Sequence, residues 1–183
     1  FFKPGACSMA THIAINEIGA NYTLEKVDTA TKITENGSNF LEINPDGYVP
    51  ALQLTSGDIL TEGPAILQYV ADQNPESELA PANGSLERTR LQQHLNYVGT
   101  ELHKSFGIFF SGKELSSEER NAAAQNIGKK LTHFEEILSD VRDFLLGEKF
   151  SGADAYLFVV TNWANFSGID ISPWPKLGAF QGR

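Results

Sequence analysis

The sequence predicts a small α/β unit over residues 1–73, a linker over 74–85 and an all-helical unit over 86–183. Three observations carry this. Short β-rich runs alternate with helical ones as far as Asp72, the pattern of an α/β unit. Residues 74–85 (NPESELAPANGS) are dense in Pro, Asn, Ser and Gly and have no periodicity, which is linker composition. Beyond them Leu91, Leu95, Val98, Leu102 and Phe106 keep one apolar stripe at helical spacing.

Each element has its own signal. Phe1–Lys3 reads as the tail of a strand running into the turn Pro4-Gly5-Ala6-Cys7-Ser8. A helix follows through Met9, Ile13, Ala14 and Ile18, closed by Gly19. Tyr22 to Val27 reads as a second strand. Ala51–Leu54 and Asp58–Thr61 flank Thr55-Ser56-Gly57, a hairpin signal, and Ile66, Tyr69 and Val70 mark a short amphipathic helix. In the second unit Ser116 with Glu119 forms a capping box that opens a long helix through Leu131, Phe134 and Leu138. Ser151 with Asp154 forms another before the apolar run Ala155–Val160, so that helix belongs at the centre of the core.

Composition excludes several classes. The 23 acidic against 14 basic residues, a formal charge of -9, argue against nonspecific nucleic-acid binding, which needs clustered cations. One cysteine cannot close an internal disulfide or build a Cys-rich zinc site, and the four histidines, at 12, 94, 103 and 133, lack ligand spacing, so no metal is expected. No apolar run is long enough to span a bilayer and no signal peptide is evident, so the expectation is a cytoplasmic protein without membrane association.

Chemistry can sit at four places. Cys7 lies at or beside a helix N-terminus, whose free amides favour a thiolate, but by less than one pKa unit. It is either an inert buried cysteine or a reactive thiol helped by the Ser8 hydroxyl, a cation or a ligand. Val49-Pro50 is either an ordinary trans bond starting an edge strand or a cis bond turning the Val49 backbone toward a peptide-like ligand; base rates favour the first. At Glu62-Gly63-Pro64 the expected cap is Gly63 with Pro64 at the first helical position, leaving amides for an anion and Glu62 for an ammonium; simple capping is the blander reading. His103, seven residues after Asn96 and four after Gly99, shares their helix face. Lys32 alone reads as a solvated surface charge.

FFKPGACSMATHIAINEIG, NPDGYVPAL, ILTEGPAILQYVAD, LNYVGTELHKSF and FSGADAYLF, in that order, resemble the bacterial beta-class glutathione S-transferases. The resemblance covers nearly the whole chain, and KPGACS together with TELH separates it from the Tyr- and Ser-dependent classes. It implies a thioredoxin-like N-terminal domain, an all-α C-terminal domain, and a homodimer that uses glutathione as cosubstrate. Cys7 would contact the glutathione sulfur and could form a mixed disulfide with it, with Ser8 and His103 as further catalytic residues. Val49 before a cis-Pro50 would pair with the cysteinyl backbone, Glu62 and Gly63 would receive the γ-glutamyl head, and Lys32 would face the glycine carboxylate. Asn96 and the Thr100, Glu101 and His103 segment would close the site. Phe2 stands where relatives often carry Tyr, and Pro64 removes one helix amide, leaving Gly63 and Ala65. Against the family, a few residues are missing before Phe1 and a helical stretch after Arg183.

The implied function is conjugation of the glutathione thiol to small hydrophobic electrophiles, with thiol–disulfide or peroxidase chemistry as a side activity. The alternatives are a glutathione-dependent disulfide reductase with Cys7 as nucleophile and a noncatalytic binding module.

Overall fold

Among the described residues, four two-residue strands form two antiparallel pairs. β1 (Val27–Asp28) pairs with β2 (Ile33–Thr34), and β3 (Leu52–Gln53) pairs with β4 (Ile59–Leu60) across the Thr55–Gly57 turn. Phe1 and Phe2 join the pairs. Phe2 bridges Lys26 in parallel, while the Phe1 backbone exchanges hydrogen bonds with Ala51 on the other side. The β signal at Tyr22–Leu24 yields no regular strand, because a strand needs a ladder partner and only Glu25 and Val27 exchange bonds with Phe2. The hairpin signal holds, and β2 appears at residues that carry no β pattern. This computed structural model describes residues 1–140 and 142–183.

Two helices of the first unit pack onto this scaffold: α1 (Ser8–Glu17) and α2 (Gly63–Gln73). The second unit contains α3 (Leu86–Tyr97), α4 (Lys104–Phe106), α5 (Ser117–Ile137), α6 (Gly152–Ser167) and α7 (Pro175–Gln181). Between α3 and α4 the chain stays helical but widens into a π turn over Val98–His103. The single long helix expected along the Leu91–Phe106 stripe is thus one rod with a shifted phase in its middle.

Local chemistry explains the boundaries. Ser116 accepts the Glu119 N–H while the Glu119 carboxylate accepts the Ser116 N–H, the expected reciprocal cap of α5. At α6 the Asp154 carboxylate accepts the Ser151 N–H at 2.9 Å, the Ser151 O–H at 2.5 Å and the Leu145 N–H at 2.8 Å. That helix ends at Gly168, whose φ of +71° suits a residue without Cβ, and the Ile169 N–H returns to the Ala164 carbonyl.

α6 is apolar on nearly all faces because it is surrounded: it packs against α1, α2, α3 and α7. One core therefore runs through both units, from Ala10, Ala14, Ile66 and Leu67 to Leu91, Leu95, Leu157 and Val160. Arg88 at the start of α3 is buried and grips Asp72 of α2 with both terminal nitrogens, at 2.6 and 2.8 Å, while also donating to the Pro81 carbonyl. It ties α2, the connecting segment and α3 together.

Candidate functional site

The turn before α1 is held from two sides. Gly5 adopts φ +75°, and the Ala6 N–H closes on the Lys3 carbonyl. From α6, the Trp163 indole N–H donates to the Gly5 carbonyl at 2.8 Å. This fixes Cys7 as the N-cap of α1, partly buried, with its Sγ–H donating to the Val49 carbonyl at 3.4 Å.

Burial pushes the Cys7 thiol up to about 11. The amides of Cys7 and Ser8 and the Lys104 ammonium pull the other way and are outweighed, while Glu62 adds to the rise. The helix terminus expected to favour a thiolate is present, but desolvation is larger. Ser8 also departs from expectation. Its buried hydroxyl accepts the Lys3 N–H and donates to the Lys3 carbonyl, so it staples the turn and lines neither cavity that meets Cys7.

The Val49-Pro50 bond is cis, against the base rate and in line with the resemblance. The cap of α2 is Glu62, one residue earlier than Gly63, with Gly63 first and Pro64 second. Glu62 adopts φ +64°, and its carbonyl accepts the Ala65 and Ile66 N–H groups. The Ala65 amide is therefore spent and Gly63 alone remains of the two expected donors.

His103, at the end of the π turn, is held at two points. Its Nδ1 lies 2.6 Å from the Tyr156 hydroxyl of α6, and the Trp163 ring meets it edge to face at 4.7 Å between centroids. Burial pushes the imidazole down to about 4, with Lys104 adding to the effect, so the ring is neutral near pH 7. The Tyr156 hydroxyl is pushed up, first by burial and then by Cys7 and Glu62.

Two cavities meet here. One, of about 340 Å³, is polar: Asn44, Asp46, Thr61, Glu62 and Gly63 line it, with Lys104 and Tyr156. The other, of about 590 Å³, is walled by Phe110, Trp163 and Phe166 and carries Lys3 and Lys32. Cys7, Tyr48, Val49 and His103 line both. Lys32 is less free than a solvated charge, since its Nζ donates to the Gly47 carbonyl at 2.8 Å and lies over the Tyr48 ring. A larger cavity of about 690 Å³, on the side of Ile15, Ile18 and Leu52, contains neither cysteine nor histidine. Among the described residues no group of three or more His, Cys, Asp and Glu is arranged to hold a metal.

The structure thus brings Cys7, Lys32, Val49, Pro50, Glu62, Gly63 and His103 together, and leaves out Ser8, Asn96, Thr100 and Glu101. Asn96 is exposed, Thr100 bonds back to the Asn96 carbonyl, and Glu101 pairs with Lys130 of α5. The shared face of Asn96 and His103 assumed unbroken α-periodicity, and the π turn between them removes it. Phe2 lines neither cavity, so the missing tyrosyl hydroxyl is of no consequence there. Sequence reasoning passed over Tyr156, Trp163 and Phe110. Tyr156 and Trp163 lie in an apolar helix that reads as core, and nothing in their spacing marks a site.

Residues 5–73 match the glutathione S-transferase N-terminal domain family, and residues 117–180 match the glutathione S-transferase C-terminal domain family. The chain is 40% identical, over all of its 183 residues and 90% of the relative, to the glutathione S-transferase GstA of Escherichia coli O157:H7. A sphingomonad glutathione S-transferase complexed with glutathione superimposes with a TM-score of 0.93 at 49% identity, over 100% of this chain and 90% of that one. The beta-class glutathione S-transferase of Sphingomonas chungbukensis gives 0.94 at 48% identity with the same coverage.

Proposed function

The chain belongs to the bacterial beta-class glutathione S-transferases, and from that premise we propose that it joins glutathione to small planar, hydrophobic electrophiles at the junction of its two cavities. The observation that carries the reading is that junction. A polar cavity and an aromatic one share a wall made by Cys7, Tyr48, Val49 and His103, as a two-substrate transfer requires.

Charge supports the direction in which glutathione lies. Asp46 and Glu62 sit in the polar cavity and suit the ammonium of the γ-glutamyl head, next to the Gly63 amide for its carboxylate. The backbone of Val49 lies in the shared wall and suits the cysteinyl peptide, and Lys32 beyond it suits the glycine carboxylate. The sulfur then falls between Cys7 and His103 and faces Phe110, Trp163 and Phe166. With an aryl halide the thiol proton leaves, the thiolate sulfur bonds to the ring carbon, and the halide departs with the electron pair. Cys7 enters as a neutral S–H group, since burial keeps it protonated. That favours conjugation over a redox cycle with Cys7 as nucleophile, which needs a thiolate.

The division at residues 73 and 86, assembly as a homodimer and residence in the cytoplasm belong to the same proposal. No described helix is long and apolar enough to cross a membrane.

Calorimetry with glutathione and turnover of a chloronitroarene test the reading. Glu62→Gln and Lys32→Met are each expected to raise the glutathione Kd about tenfold. Unchanged affinity in both variants would place glutathione elsewhere.

A further inference from the structure

We propose that Tyr156 is a positioning residue: its hydroxyl donates to Nδ1 of His103 and so presents Nε2–H to the reacting sulfur, making His103 a hydrogen-bond donor to the thiolate and not the base that removes the thiol proton. The inference rests on the reading of the junction as the glutathione site.

A tyrosyl hydroxyl carries one proton, and a neutral imidazole carries one N–H that sits on either nitrogen. The 2.6 Å contact between Tyr156 and Nδ1 can therefore be made in two ways. If Nδ1–H were the donor, the hydroxyl proton would need another acceptor, and the contact to His103 is the only hydrogen bond the Tyr156 hydroxyl makes among the described residues. Tyr156 is 5% exposed, so little of it meets water, and an unmade buried bond costs about 1–3 kcal/mol. With the hydroxyl donating, Nδ1 must be bare and the imidazole proton must sit on Nε2.

The surroundings keep both groups in the needed form. Burial and the adjacent Lys104 hold His103 neutral, and burial with Cys7 and Glu62 nearby holds Tyr156 protonated. Orientation is fixed as well. Trp163 stands nearly perpendicular to the ring, at 80°, and is itself anchored to the Gly5 carbonyl in the turn that carries Cys7. Nε2, on the edge away from Tyr156, has no protein partner among the described residues, and His103 lines both cavities beside Cys7. The thiol proton then goes to solvent when glutathione binds, and the Nε2–H stabilises the charge left on sulfur.

Tyr156→Phe is the test, because it keeps the ring in the core and removes only the hydroxyl. Nitrogen-15 NMR of the parent protein, with no ligand added, is expected to show the His103 proton on Nε2, and a proton on Nδ1 would overturn the proposal. Titration of the ultraviolet thiolate band of bound glutathione is expected to move up by about one pH unit in Tyr156→Phe, with kcat/KM at pH 7 falling about tenfold. In a His103→Ala background the same substitution is expected to change neither quantity. A coincident pH profile in Tyr156→Phe, or an equal loss without His103, would overturn the positioning role. A parent protein that fails to bind glutathione would instead overturn the site itself, and the NMR result would still decide the tautomer.

Discussion

Cys7 was visible in the sequence as the one residue of its kind, and its place at a helix N-terminus was visible too. Its ionisation was not, because that depends on how much protein closes over it, and the covering comes from Val49 and the helical unit, far away in sequence. With the thiol pushed up to about 11, the protonated form dominates at pH 7. Alkylation of Cys7 by iodoacetamide, followed by mass spectrometry, is expected to accelerate about tenfold per pH unit between pH 7 and 10. A rate that levels off below pH 8 would mean that the helix amides win over burial. Ser8 differs for a local reason, the direction its side chain takes within the turn. Its neighbourhood to Cys7 suggested a catalytic hydroxyl, whereas the bonds to Lys3 show a side chain turned back on its own turn.

Caps and punctuation were the most legible features at the level of elements, since each rests on contacts between residues three or four apart. The caps at Ser116 and Ser151, the helix end at Gly19 and the hairpin around Gly57 all follow local rules. The two short strands of β1 and β2 and the π turn follow none, because tertiary partners decide them. Asp154 shows what a local motif contributes once it is buried. Asp154→Ala would remove the cap of α6 and strand the Leu145 and Ser151 N–H groups, a loss of about 3 kcal/mol. Thermal unfolding followed by circular dichroism should then show a Tm lower by roughly 6–12 °C. The pH dependence has a definite sign. Burial outweighs the donors around Asp154 and raises its pKa to about 6, so the folded state binds this proton more tightly than the unfolded chain. Its contribution to stability is greatest below pH 4 and falls as pH rises to 6, and Asp154→Asn should flatten that part of the stability profile.

At the scale of the molecule, the sequence divides more cleanly than the structure does. The sequence changes pattern at residues 74–85, yet the core is shared: Ala10, Ala14, Ile66, Leu67, Val70 and Ala71 are buried in one cluster with residues of α3 and α6. Arg88 adds a polar clamp over the same seam. The protein should therefore unfold in one cooperative transition, coincident by near-ultraviolet circular dichroism and Trp fluorescence. Residues 1–73 expressed alone should give the collapsed amide NMR spectrum of an unfolded chain; a dispersed spectrum would show that the seam is dispensable. The shared seam also makes the π turn more than a local irregularity. Its extra residue sets the rotation at which the rest of the rod meets α6, and one residue corresponds to about 100° around a helix. Deleting a single codon within 98–103 would leave a sound α-helix whose later side chains all point elsewhere, with His103 swung off Tyr156. In a lineage carrying this architecture, the smallest in-frame change at this turn would take Phe106 out of the core together with His103 out of the site, so the chemistry is not lost there without the packing.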